Sequence, residues 1–148
     1  IMMASAKKIH ISADNVNEIK VNSGAEVYSE NTFSSERLVL SVSSGAHVKM
    51  DLRVDDLICE SSSGAGMELR GEANAFSASS SSGSDIKAYD LKAKECKADA
   101  SSGSDIKLHV THKFQGSASS GADIKFRGNP ENISKNDNSG GSVRQVKS

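Results

Sequence analysis

The sequence predicts an all-β fold: a single-stranded parallel β-helix, a solenoid with about 19–20 residues per coil. Three observations predict it. A six-residue signature, Asn/Ser-Ser-Gly-small-x-apolar, recurs seven times. Its glycines are Gly24, Gly45, Gly64, Gly83, Gly103, Gly121 and Gly140, separated by 21, 19, 19, 20, 18 and 19 residues. Apolar and polar residues alternate around each glycine, as in a strand with one buried face. Finally, hydrophobic residues make up only 36% of the 148-residue chain. That is thin for a two-layer core, but a narrow interior can be filled by Ala, Ser, Val and Ile.

The chain reads as one domain, residues 1–148, in three stretches. Residues 1–18 form an N-terminal cap or the remnant of a longer N-terminal region. Residues 19–128 form the regular coils. Residues 129–148 form a degenerate last coil and tail, expected to fray past Val146.

Counted from each glycine, position +3 carries Val27, Val48, Met67, Ile86, Ile106, Ile124 and Val143. Position −7 carries Leu38, Leu57, Phe76, Cys96, Phe114 and Ile133, and −5 carries Ile19, Leu40, Cys59, Ala78, Ala98 and Gly116. Odd offsets are apolar or small and even offsets mostly polar, on both sides of the glycine. Each period therefore supplies at least two strand segments, joined by one bend at the glycine. A second junction falls in variable sequence such as Arg53–Asp56, Gly71–Asn74 and Thr111–Lys113. The Ser-Ser-Gly punctuation interrupts every candidate helix. Beyond Gly128-Asn129-Pro130 the columns weaken to Lys135 at −5 and Asp137 at −3, and the single proline cannot donate to a ladder.

Stacked coils set like residues about 4.8 Å apart. The serine before each glycine (Ser23, Ser44, Ser63, Ser82, Ser102, Ser120, Ser139) falls at an odd offset. Pointing inward, each hydroxyl would bond to the neighbouring coil's serine or backbone. The −2 serines and the glycines would then face outward.

Position +2 carries Glu26, Asp85, Asp105 and Asp123, interrupted by His47 and Gly66. A calcium site needs several such oxygens, and a glycan-cleaving β-helix needs clustered acids, so Asp85, Asp105 and Asp123 are the candidate metal or catalytic residues. Position +4 carries Lys49, Lys87, Lys107, Lys125 and Arg144. The favoured reading of the two columns is a charge-balanced ladder on a solvated face, with no catalytic residue, no cofactor and no metal. Cys59 and Cys96 fall two coils apart, too far for a disulfide, and are expected as unpaired, buried thiols. His10, His47, His109 and His112 read as surface histidines.

Val39 and Ile58 break the alternation, because they are apolar at the outward −6 offset on adjacent coils. Exposed neighbouring apolar residues mark contact surfaces. Either the N-terminal segment with Ile9 and Ile11 folds over them, or they form a subunit interface.

The net charge is −1, which gives no general field for nucleic acid or anionic membrane. No apolar stretch is long enough to span a membrane as a helix. Ile1–Lys8 does not read as an intact signal peptide.

The tandem Ser-Gly-Ala/Ser-x-Asp-Ile/Val coils, over roughly residues 19–145, resemble the auto-transporter adhesin head domains of the GIN-domain family of Bacteroidetes-type bacteria. The resemblance implies a right-handed parallel β-helix on an exported protein of the cell surface, outer membrane or periplasm, with an adhesive or structural role. Family members carry a longer region before the coils, so the chain is expected to be a short member or to lack part of the domain. No set of functional residues carries over. The expected function is non-enzymatic: an adhesin-like or structural envelope module presenting a repetitive surface to an unidentified protein or glycan, or to another copy of itself. The alternatives are a glycan-active enzyme using Asp85, Asp105 or Asp123, and a calcium-stabilised solenoid.

Overall fold

A computed structural model describes residues 2–4, 8–11, 18–21, 24, 26–29, 33–137 and 140–146. The strands are β1 (Met2–Ala4), β2 (Lys8–Ile11), β3 (Glu18–Val21), β4 (Glu26–Ser29), β5 (Phe33–Val42), β6 (His47–Ser61), β7 (Gly66–Ser80), β8 (Asp85–Ala100), β9 (Asp105–Ala118), β10 (Asp123–Arg127), β11 (Asn132–Asp137) and β12 (Ser142–Gln145). The strands pair in parallel, and the whole is a β-solenoid of about six turns. Equivalent positions of the repeat stack directly. Val48 lies on Met67, Met67 on Ile86, Ile86 on Ile106 and Ile106 on Ile124.

The repeat signature folds into a tight turn. Ser44 and Gly45 have φ of 57° and 75°, and the Ala46 N–H donates to the Ser43 carbonyl at 3.2 Å. Positive φ at both central residues is the type I′ pattern. Ser63, Ser82, Ser102 and Ser120 repeat it with φ of 54–55°. Successive turns are also bonded to each other: Gly45 N–H donates to the Ser63 carbonyl at 3.1 Å, and Gly64 N–H to that of Ser82 at 3.2 Å.

This geometry corrects the expected direction of the −1 serines. Ser44, Ser63, Ser82, Ser102 and Ser120 are exposed, because left-handed backbone at two consecutive residues interrupts the alternation at the corner. Ser23 and Ser139 lie outside the described residues. The inward hydroxyls belong to other columns. Ser84 at +1 is fully buried. Its Oγ lies 2.7 Å from the carbonyls of Ser61 and Ser81 and from the Ser80 hydroxyl, and it accepts the Ser81 N–H at 3.1 Å. Ser104 repeats the arrangement on the Ser80 carbonyl at 2.7 Å.

The long strands bend at the second junction. Along β6 the alternation stops at Asp55–Asp56, where two consecutive residues are exposed, and resumes at Leu57; along β8 it stops at Lys94–Glu95. A further corner depends on Gly71, whose φ is +121°; a Cβ there would stand 1.8 Å from the Leu52 carbonyl oxygen. Gly128 repeats this against the Val110 oxygen.

The interior is one continuous stack that includes Leu38, Leu57, Phe76, Cys96 and Phe114 in one column and Val48, Met67, Ile86, Ile106 and Ile124 in another. Cys59 and Cys96 are free and buried, as expected. Phe114 and Phe126 stack with ring centroids 4.2 Å apart. Gly116 makes room for them, since a Cβ there would meet the Phe114 ring at 2.6 Å.

Towards the C-terminal end of the stack, β11 has all six residues exposed, with Ile133 at 45% exposure. Among the described residues it pairs only with β9, and β12 only with β10. The stretch expected to fray, past Val146, lies outside the described residues. At the other end, β1 lies on β3 and β2 on β4, with Ile9 opposite Val27 and Ile11 opposite Ser29. These two strands, which carry Ile9 and Ile11, thus extend the stack and do not fold over Val39 and Ile58; residues 5–7 and 12–17 lie outside the described residues. Counting signatures misses this coil because it lacks a Ser-Gly pair.

Candidate functional site

Direct stacking turns the outward offsets into straight columns. Asp85, Asp105 and Asp123 occupy consecutive positions of one column. Lys87, Lys107, Lys125 and Arg144 occupy the column two residues away. The other half of this face is mixed: His47, Gly66 and Glu26 stand in the first column, and Tyr28, Lys49 and Glu68 in the second. Gly66 is a close fit there, since a Cβ would approach the His47 Nδ1 to 2.9 Å.

The balance of charge along this ladder acts through space, not through contact. Among the described residues, ion pairs within 4.0 Å are Lys20–Glu18 and Arg70–Asp51, away from these columns. Partial burial, then the Asp85 and Asp123 charges, raise the Asp105 carboxyl above its ordinary range; Lys107 and Lys125 oppose this. No three His, Cys, Asp or Glu side chains among the described residues converge on a geometry suited to a metal ion. The three aspartates are brought side by side, not around a point.

Offset +6 carries Tyr89, His109 and Arg127, but they do not stack as one column: Arg127 pairs with His109 and His109 with Lys92, leaving Tyr89 in the register slip between β8 and β9. The Arg127 guanidinium lies 4.1 Å from the Tyr89 ring centroid, a cation–π contact. Arg127 Nε is buried with no hydrogen-bond partner. Partial burial, then the positive charges of Lys92 and Arg127, lower the His109 imidazole, opposed by a hydrogen bond to the Tyr89 backbone. The Tyr89 phenol is raised by burial, opposed by Arg127 and Arg144. Sequence reasoning missed this cluster. Its signal was the one 20-residue coil, where Tyr89 and Asp90 are two consecutive outward residues and the register with β9 slips.

Val39 and Ile58 are neighbours in register and only half-buried. Ile58 lines a shallow groove of about 470 Å³ whose floor is Ala75, Phe76 and Ser77 and whose rim includes Asp56, Glu95 and Lys97. The small floor residues between longer neighbours make the concavity. Burial pushes the Cys96 thiol beneath it up to about 12, and that of Cys59 higher still, so neither is a nucleophile at neutral pH. His112 is exposed, its Nδ1 2.9 Å from the Thr111 hydroxyl.

The family described as "Putative auto-transporter adhesin, head GIN domain" matches residues 2–130. The chain belongs to this GIN-domain family. Three crystal structures share the fold. A "putative adhesin" from Bacteroides fragilis superposes with a TM-score of 0.84 at 21% identity, over 88% of this chain and 60% of its own. A "putative adhesin" from Parabacteroides merdae gives 0.77 at 17% identity, over 88% and 63%. A "putative lipid binding protein" from Parabacteroides distasonis gives 0.71 at 20% identity, over 88% and 61%. The GIN-domain chain thus spans about three fifths of the length of these proteins. No curated protein matches it.

Proposed function

We propose that this GIN-domain chain is a non-enzymatic contact module of an exported envelope protein, acting at the cell surface, on the outer membrane or in the periplasm. The family supports an adhesin-like role on an exported cell-surface protein. The observation that carries the finer reading is the unbroken register of charged columns, Asp85–Asp105–Asp123 beside Lys87–Lys107–Lys125–Arg144. A rigid lattice of side chains about 4.8 Å apart engages a repetitive partner at many points without an ordering cost on its own side. The half-buried Val39–Ile58 patch supplies a second, apolar surface, suited to a protein partner or another copy of the chain. A glycan and matrix-protein binding screen tests the reading. Specific binding to at least one surface is expected; no binding to any would leave the rod a purely structural element.

One observation favours an enzymatic reading in second place. The upward shift of Asp105 beside two further carboxylates is the environment of a general acid. That reading requires hydrolysis of a polysaccharide that Asp105→Asn abolishes, and absence of turnover across a polysaccharide panel removes it.

A further inference from the structure

We propose that the +2 and +4 columns of the C-terminal half of the rod, with Arg127 beside them, form one binding rail for a linear acidic polysaccharide, its anionic groups on Lys107, Lys125, Arg127 and Arg144 and its hydroxyls on Asp85, Asp105 and Asp123. This rests on the contact-module reading and names its ligand class.

Four arguments converge. First, Lys87, Lys107, Lys125 and Arg144 are stacked like charges on four consecutive coils. Among the described residues, none has a carboxylate within 4.0 Å. Like charges directly opposite one another in a sheet destabilise it, and a row of anions would relieve the repulsion. Second, Arg127 is fixed over Tyr89 with its Nε buried and unpartnered. A guanidinium held by a ring in this way is preorganised for a planar carboxylate or a sulfate. Third, the positive field of this face reaches the imidazole within it: partial burial first, and then Lys92 and Arg127, hold His109 towards its neutral form. Fourth, the adjacent aspartate column selects among anions. Carboxylates accept hydrogen bonds and donate none, so they suit sugar hydroxyls and repel a uniformly charged polymer. A phosphate backbone would place charge against Asp85, Asp105 and Asp123. A polyuronate has one anionic group per ring with hydroxyls between them, so a single chain offers both kinds of group to the two columns.

The test is titration of the intact chain with an oligogalacturonate hexasaccharide, a neutral glucose hexasaccharide of matched length, inorganic polyphosphate and vesicles carrying anionic lipid. The oligogalacturonate is expected to bind more tightly than the other three, and to weaken with added salt. K107Q/K125Q/R144Q is expected to weaken it by about tenfold or more while the melting temperature of the free chain rises, because the stacked repulsion is removed. K97Q/K113Q, two lysines that line the separate groove beside Ile58, is expected to have no effect. D85N/D105N/D123N is expected to strengthen polyphosphate binding and weaken that of the uronate. The rail is overturned if the uronate binds no better than the neutral sugar, polyphosphate or vesicles. It is overturned equally if its affinity depends on Lys97 and Lys113 instead, a result that would keep the contact-module reading and move the site. Uronate failure alongside hits in the wider screen separates the two claims in the same way.

Discussion

Single residues in this chain are constrained mainly by backbone geometry. Gly45 and Gly71 both have positive φ, but only Gly71 is also crowded, with a Cβ position 1.8 Å from the Leu52 oxygen against open space at Gly45. Gly45→Ala is therefore expected to cost about 1 kcal/mol, the strain of left-handed backbone alone. Gly71→Ala adds a backbone clash and is expected to cost about 3 kcal/mol or more; urea unfolding of the two variants checks the difference. Titrating residues make opposite contributions. Asp105 has a raised folded-state value, so its contribution is fully present below the ordinary 3.8 and is lost as pH rises through the raised value. His109 has a lowered one, so its contribution is present above 6.5 and is lost as pH falls through the lowered value. Asp105→Asn is expected to raise the melting temperature at neutral pH, and His109→Gln to flatten the loss of stability just below pH 6.5. The reverse signs would contradict the assigned environments.

At the scale of elements, the strands were legible because their alternation is obligatory: Ile86, Ile106 and Ile124 can reach the core only at odd offsets. The turns were legible as turns, since Ser-Gly recurs, but not in their hand. Whether Ser44 points in or out depends on two consecutive positive φ values, which offset counting cannot supply. The corner at Gly71 was read only as variable sequence, because its cause is the neighbouring coil's Leu52 carbonyl. Of the candidate site, the Asp and Lys columns were visible as repeats. The Tyr89–Arg127 contact was not, because a 20-residue coil and its 18-residue neighbour shift the register between them. The groove beside Ile58 was visible only through that one misplaced apolar residue; its floor depends on Ala75 and Ser77, small residues flanked by longer ones on the adjacent coils.

For the molecule as a whole, each coil touches mainly its neighbours, so stability is approximately a sum of coil and interface terms. The central strands β6–β9 are paired along both edges, whereas β11 is wholly exposed and, among the described residues, paired on one. Native-state amide exchange is expected to show the slowest exchange in β6–β9 and a fall in protection towards β11 and β12. Uniform protection along the rod would contradict nearest-neighbour stabilisation. Almost every interior residue serves the stack, so recognition is left to the outer columns. The most direct measurement compares binding of the intact chain with that of a variant whose columns are both neutralised, D85N/D105N/D123N with K87Q/K107Q/K125Q, on the same glycan and matrix-protein screen. Loss of binding with unchanged folding is the predicted result. Full retention of binding would contradict the claim that the columns are the contact surface.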